Sequence, residues 1–203
     1  MFLYLIDLFG TAIFAVSGVI LAGKLRMDPF GVIVLGGVTA IGGGTIRDII
    51  LDATPIFWIH DTTYLWVILC TCFLTMLIVR RPKRIPWWVL PVCDAIGLAV
   101  FVGIGVDKAL DYQDSYLVAI MMGVMTGCGG GIIRDVLARE IPMVLRHEVY
   151  ATACIVGGIF HTTAIALEYN HQIALLAGLV STLIIRLGAI RWHLSLPVFA
   201  MNK

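Results

Sequence analysis

Apolar residues in this chain come in long stretches separated by short polar connections. The stretches run for about 17 to 21 residues, and a helix of roughly that length crosses a hydrocarbon core of about 30 Å. Seven spans are predicted, at 3–22, 30–50, 63–79, 87–106, 115–134, 149–167 and 172–190. The pattern therefore predicts an all-α membrane protein with seven transmembrane helices.

Composition supports a membrane location. Sixty per cent of the 203 residues are apolar, and the mean hydropathy is +0.99. Only 13% are charged, where soluble domains have about a quarter. Little of the chain remains for a soluble domain, so we expect one transmembrane domain over residues 1–203. The first span carries Asp7 and has no basic segment before it, so we expect it to stay as the first helix rather than to be a cleaved signal peptide.

Charged residues in the connections predict the orientation. The strongest cytoplasmic signal is the basic run between spans three and four, Arg80, Arg81, Lys83 and Arg84. The acidic connections then all fall outside, with Asp52, Asp61, Asp107, Asp111, Asp114 and Glu168. We therefore predict an N-out, C-in topology. A site for anionic lipid is the alternative interpretation of the basic run.

The chain lacks the patterns that indicate an enzyme. Its five cysteines, Cys70, Cys72, Cys93, Cys128 and Cys154, all lie in apolar spans without metal-ligand spacing. The spans contain no HExxH motif and no nucleophile with a facing base. We therefore expect no catalytic residue, no resident cofactor or metal, and no nucleic-acid partner.

The sequence repeats itself after 87 residues without a gap. The matching pairs are Asp7 and Asp94, Gly10 and Gly97, Phe14 and Phe101, Gly18 and Gly105, Gly36 and Gly123, Pro55 and Pro142, and His60 and His147. Each copy holds three spans, and an odd number makes the second copy cross the membrane in the opposite direction. We predict inverted repeats over 1–84 and 85–170, followed by a seventh helix within 171–203.

Both copies carry three consecutive glycines followed by an arginine and an aspartate. They are Gly42, Gly43 and Gly44 in span two, and Gly129, Gly130 and Gly131 in span five. Glycine costs roughly 1 kcal/mol relative to alanine in a helix interior, so three together could open the backbone and direct free carbonyls at a passing cation. The alternative is packing, because Gly123, Gly127 and Gly131 recur every four residues in a pattern typical of close helix pairs.

Charges within the spans are expected to pair, since each costs on the order of 3 kcal/mol at mid-bilayer. The predicted topology puts Asp7, Arg47 and Asp48 at the outer level and Asp94, Arg134 and Asp135 at the inner level. We expect two triads, which either line the two mouths of a permeation path or clasp helices together. Hydroxyls that could join such a path are Thr11, Ser17, Thr39, Thr45 and Thr126, although each could instead bond back to its own helix.

The duplicated motifs "GGGTIRD" and "GGGIIRD", in a chain of two three-span repeats plus one span, resemble the prokaryotic branch of the trimeric intracellular cation (TRIC) channel family, also described as bacterial proteins with a glycine-transporter-like domain. The resemblance implies a homotrimer in a bacterial or archaeal cell membrane, surrounded by lipid. It also implies one pore per protomer, lined by spans one, two, four and five and kinked at the triple glycines, with Arg47, Asp48, Arg134 and Asp135 beside the kinks. Potassium and sodium are the permeant ions that it implies, potassium chiefly.

Two functions follow from these patterns. The first is a weakly selective cation channel, since no TVGYG potassium filter is present. The second is a secondary transporter for a small solute such as glycine, which inverted repeats and interrupted helices suit equally well.

Overall fold

The structure is a computed structural model that describes residues 1–79, 85–113 and 115–197. The basic run Arg80, Arg81, Lys83 and Arg84, on which the predicted orientation mainly depends, lies outside the described residues, as does Asp114.

Within the described residues the chain is all-helical, as expected. The α-helices are α1 (Phe2–Lys24), α2 (Pro29–Ile50), α3 (Phe57–His60), α4 (Thr63–Ile78), α5 (Val89–Tyr112), α6 (Tyr116–Leu137), α7 (Ala151–Ala166) and α8 (His171–Trp192), with a 3-10 turn at Met143–Leu145. Five of them, α1, α2, α5, α6 and α8, are long and apolar enough to cross a membrane. The apolar helices α4 and α7 have 16 residues each.

The helix ends follow local sequence signals. Asp28 caps α2 by accepting from Gly31 N at 2.7 Å, and Asn170 caps α8 by accepting from Ile173 N at 2.8 Å. After α2 and α6 the chain turns through left-handed residues, Asp52 with φ 52° and Arg139 with φ 57°. These two residues are 87 positions apart, so the two repeats leave the corresponding helix in the same way.

Helix α5 lies at the centre of the packing. It contacts α1, α6, α7 and α8, and its residues Leu98, Ala99, Val102 and Val106 are fully or almost fully buried. The corresponding contacts α1 with α2 and α5 with α6 hold each repeat together, while α2 with α6 and α1 with α5 join the two repeats. The interface of the repeats is therefore built from α1, α2, α5 and α6.

The triple glycines lie inside continuous helices, which do not show the opened backbone that was one of the two interpretations of this motif. Helix α2 runs without interruption through Gly42–Gly44, and α6 through Gly129–Gly131. The physical reason is close packing of α2 on α6. A Cβ placed on Gly43 would collide with the carbonyl oxygen of Thr126, and one placed on Gly130 would collide with that of Thr39. Gly43 and Gly130 therefore let the backbones of α2 and α6 touch, whereas Gly123 and Gly127 of the predicted packing pattern lie against Val102 of α5.

Candidate functional site

Arg134 binds both of the other charged residues that the sequence placed at the inner level. Its Nη1 donates to Asp94 Oδ1 at 2.7 Å, and its Nε donates to Asp135 Oδ1 at 2.8 Å. Nη1 also donates to Ser17 Oγ of α1 at 3.0 Å. All four side chains are buried. We call Ser17, Asp94, Arg134 and Asp135 the Arg134 cluster, and it joins α1 of the first repeat to α5 and α6 of the second.

The outer triad differs from its prediction. Arg47 Nε donates to Asp48 Oδ1 at 2.8 Å, as expected, but the second cation on that oxygen is Lys108 Nζ at 2.7 Å. Asp7 accepts a hydrogen bond from the hydroxyl of Tyr64 at 2.7 Å and not from Arg47. Among the described residues no salt bridge joins Asp7 to Arg47; a lysine from α5 and a tyrosine from α4 provide the direct contacts to the two carboxylates.

Each aspartate of the Arg-Asp motifs also holds the loop that follows its helix. Asp48 Oδ2 accepts from Phe57 N, and Asp135 Oδ2 accepts from Met143 N, both at 3.0 Å. One carboxylate oxygen thus binds the arginine and the other binds backbone, and both carboxylates are buried. This geometry favours the helix clasp among the two interpretations of the motif.

Most of the candidate hydroxyls bond back to their own helices. Thr39 donates to Leu35 O and Thr126 to Met122 O, both at 2.6 Å, and Thr45 donates to Ile41 O at 2.7 Å. Ser17 donates to Phe14 O at 2.8 Å while accepting from Arg134. Thr11 Oγ1 is buried with no hydrogen-bond partner among the described residues.

A cavity of about 700 Å³ opens at the end of the molecule where α1 begins and α5 ends. Its polar lining consists of three carboxylates, three tyrosines and two basic side chains: Asp7, Asp107, Asp111, Tyr4, Tyr64, Tyr112, Lys108 and His171. We call this cavity the acidic vestibule. Because Lys108 also binds Asp48, the vestibule adjoins the Arg47–Asp48 pair at the interface of the repeats.

Asp107 joins three helices at the wall of the acidic vestibule. Its Oδ1 lies 3.2 Å from His161 Nε2 of α7 and 2.9 Å from His171 Nδ1 of α8. Sequence reasoning missed this group, because Asp107 served only as a topology marker and the histidines had no motif around them. The contacts link residues 54 and 64 positions apart, which no local pattern indicates.

Arg186 of α8 is a second group that sequence reasoning missed. Its side chain is fully buried, although it lies near the end of the last predicted span. Nη1 donates to Val149 O at 3.0 Å and to Glu148 Oε2 at 3.3 Å, and the guanidinium lies 4.7 Å from the ring centroid of Tyr150. Tyr150 in turn packs beside Gly131, next to the Arg134 cluster. Helix α8 is thereby connected to the second repeat.

The described residues contain no group of three or more histidine, cysteine, aspartate or glutamate side chains placed to hold a metal ion.

The chain is similar to known proteins over both of its repeats. A family model described as "Glycine transporter" matches the chain twice, over residues 4–80 and 91–166. The two matches begin 87 residues apart, at residues 4 and 91, which is the period of the internal repeat.

Three similar proteins illustrate the extent of the likeness. A UPF0126 membrane protein of Vibrio cholerae is 79% identical over 99% of this chain and 84% of its own length. The UPF0126 inner membrane protein YadS of Escherichia coli is 62% identical over 100% of this chain and 99% of its own. The crystal structure of a TRIC trimeric intracellular cation channel orthologue from Rhodobacter sphaeroides superposes with a TM-score of 0.90 at 36% identity, covering 95% and 98% of the two chains.

These likenesses extend over both repeats and the last helix. Together with the five long apolar helices, the relatives named as inner membrane proteins identify a multi-pass protein of the bacterial inner membrane. The chain belongs to the prokaryotic branch of the TRIC channel family.

Proposed function

We propose that this protein is a channel for monovalent cations, permeable to potassium, with one pore per protomer at the interface of the inverted repeats. The observation that carries the proposal is the likeness of nearly the whole chain to a structure of a TRIC cation channel orthologue. The acidic vestibule supports it, since a cavity lined by three carboxylates raises the local concentration of cations.

The proposed path enters through the acidic vestibule and continues between α1, α2, α5 and α6. It is narrowest where α2 crosses α6, at Gly42–Gly44 and Gly129–Gly131. Because these helices are continuous and in close contact, conduction requires them to separate at the crossing rather than to offer free carbonyls. A path without a ring of carbonyls discriminates weakly between potassium and sodium.

The proposed arrangement in the membrane has seven crossings, an outer N-terminus and an inner C-terminus, and three protomers in the bilayer. Helices α4 and α7 are about 24 Å long and therefore need a few flanking residues to cross a core of about 30 Å. An inverted second repeat requires three crossings in each repeat, which supports counting both short helices. The family of the chain supports the homotrimer.

Recording from purified protein in planar bilayers tests the channel. We expect unitary current steps in potassium chloride, a similar conductance in sodium chloride, and no steps with N-methylglucamine as the only cation. Ion-coupled, saturable solute counterflow without current steps would contradict it.

A secondary transporter for glycine is the second candidate, favoured by the description of the family model that matches both repeats. Its test is accumulation of labelled glycine in proteoliposomes under a sodium or proton gradient. Accumulation that stops when the gradient is collapsed supports the carrier, and passive equilibration of potassium alone supports the channel.

A further inference from the structure

The acidic vestibule combines aromatic rings with carboxylates. Tyr4, Tyr64 and Tyr112 line the same cavity as Asp7 and Asp111. Aromatic faces attract cations, and aromatic cages are the way in which proteins bind methylated ammonium groups. We propose that the acidic vestibule is a binding site for a quaternary ammonium ion, a ligand distinct from the inorganic ions of the proposed path.

The internal repeat does not require this lining. Shifting by 87 residues pairs Asp107, Lys108, Asp111 and Tyr112 at the end of α5 with Ile20, Leu21, Lys24 and Leu25 at the end of α1. The same shift pairs Tyr4 with Pro91. The opposite end of the molecule therefore has neither carboxylates nor aromatic rings at these positions. Apart from Asp7, which the shift pairs with Asp94, this lining is specific to one end and is not a by-product of duplicated packing.

The charge of the vestibule is available to a cationic ligand. Lys108 is already bound to Asp48, and His171 is hydrogen-bonded to Asp107. Asp107 Oδ2 is buried without a hydrogen-bond partner in the described part of the chain, and Asp111 has no ion pair there. Together with the Arg47–Asp48 pair that Lys108 joins, four carboxylates face two permanent cations and one histidine, which leaves an excess of carboxylates around the cavity.

The rings are held in place before any ligand arrives. Tyr4 and Tyr64 meet edge to face, with centroids 6.2 Å apart and planes at 87°. The Tyr64 hydroxyl donates to Asp7 and the Tyr4 hydroxyl donates to Asp61, each at 2.7 Å. Hydrogen bonds from Thr63 and Tyr4 lower the pKa of Asp61, which lies outside the spans, so this acceptor is ionised at neutral pH. Tyr64 is buried against Tyr4 and Phe57, so the rings that a ligand can reach are those of Tyr4 and Tyr112, which are 40% and 51% exposed. A ring that is already fixed binds a ligand at little entropic cost.

The size and lining of the acidic vestibule distinguish the binding of a quaternary ammonium ion from that of potassium. The volume of about 700 Å³ lies within the range of small-molecule pockets, about 300–1,000 Å³. A methylated ammonium is weakly hydrated and gains from contact with ring faces, whereas a hydrated inorganic ion gains mainly from the carboxylates. Removing a ring therefore weakens the binding of the methylated ammonium only, and removing a carboxylate weakens the binding of both ions.

Calorimetric titration of the purified full-length protein with tetramethylammonium chloride tests the site, with sodium chloride keeping the ionic strength constant. We expect saturable binding that potassium does not reproduce at equal concentration. Tyr4→Leu and Tyr112→Leu each lower the affinity by about five-fold, within the range of one cation–π contact. Asp111→Asn lowers it as well, and Tyr4→Phe, which keeps the ring, retains most of it.

The matched control is Tyr116→Leu, an exposed tyrosine at the start of α6 that does not line the vestibule. It leaves the affinity unchanged. Equal heats for tetramethylammonium and potassium, or unchanged affinity in both ring variants, would overturn the proposal and leave only a general attraction of cations to acidic groups. The titration measures no current, so its outcome is independent of whether the protein conducts.

Discussion

Arg134 is enclosed by protein on every side and still carries its charge, because arginine does not deprotonate in proteins. Two carboxylates and a serine hydroxyl surround it at 2.7 to 3.0 Å. Such a group is tolerated only when the whole set is present, since removing one partner leaves an uncompensated buried charge. At the scale of single residues, the Arg134 cluster is therefore first a structural element of the repeat interface.

Replacing Arg134 by glutamine tests this role. The variant leaves Asp94 and Asp135 buried without their cation, so we expect a loss of about 3–5 kcal/mol in stability, measured as a lower midpoint of thermal unfolding in detergent. The control is Arg146→Gln, which breaks an exposed pair with Glu140 at 3.6 Å and should cost under about 1 kcal/mol. A stable Arg134→Gln protein with altered ion selectivity would contradict the clasp and favour a pore-lining role.

Replacing Asp111 by asparagine tests the vestibule as the entrance of the path. We expect a lower unitary potassium conductance at low salt and little change in about 1 M salt, where the Debye length falls to about 3 Å. Glu140→Gln, which removes one exposed carboxylate outside the vestibule, is the control. A reduction that persists unchanged at high salt would indicate a structural effect instead.

At the scale of helices, the triple glycines illustrate what the sequence could and could not decide. Their duplication beside Arg47 and Arg134 marked the repeat interface, but composition alone could not separate an opened helix from a close contact. Which of the two forms depends on the residues of the neighbouring helix that face the glycines. Thr39 and Thr126, whose carbonyls the glycines meet, are each on the other helix of the pair.

Adding a methyl group at this crossing tests the contact. Gly43→Ala or Gly130→Ala places a Cβ against a backbone carbonyl that cannot move aside, so we expect a loss of about 1–3 kcal/mol or more in stability. The control is Gly37→Ala in α2, where the nearest atom to the added Cβ is Ile68 Cγ2 at 3.9 Å. This control should be neutral or stabilising because alanine favours a helix. Equal unfolding midpoints for Gly43→Ala and Gly37→Ala would refute the close contact.

The helices themselves were predictable, because the length of each apolar stretch in the sequence corresponds to the length of one helix. The predicted limits differ from the observed ones by at most six residues, at the end of α5, where Asp107 and Asp111 continue the helix beyond the apolar stretch. The vestibule was not predictable, since its walls come from α1, α4, α5 and α8 and only the fold brings them together. Arg186 was missed for the same reason, because its partners are 37 and 38 positions away.

At the scale of the whole molecule, the two ends differ although the repeats match. One end holds the acidic vestibule, and the other holds the buried Arg134 cluster and Arg186. The repeat fixes the helix packing, while residues outside the matching positions give each end its own chemistry. In the proposed orientation the acidic end faces outward.

A fusion experiment tests that orientation. Green fluorescent protein attached after Lys203 should fluoresce in Escherichia coli, and alkaline phosphatase at the same position should be inactive, because the C-terminus is proposed to be inside. The reverse result would invert the molecule and make the vestibule a cytoplasmic feature.

Two hydrogen bonds that cross between the repeats lie at opposite ends of the molecule. Lys108 of the second repeat binds Asp48 of the first at 2.7 Å, and Arg134 of the second binds Ser17 of the first at 3.0 Å. Both bonds are formed in this structure, and each holds one repeat to the other. We expect a carrier that rocks one repeat against the other to break one of these bonds while the other remains, and a channel that is open at both ends to break both at once. Whether these two bonds break together or one at a time therefore distinguishes a channel from a carrier.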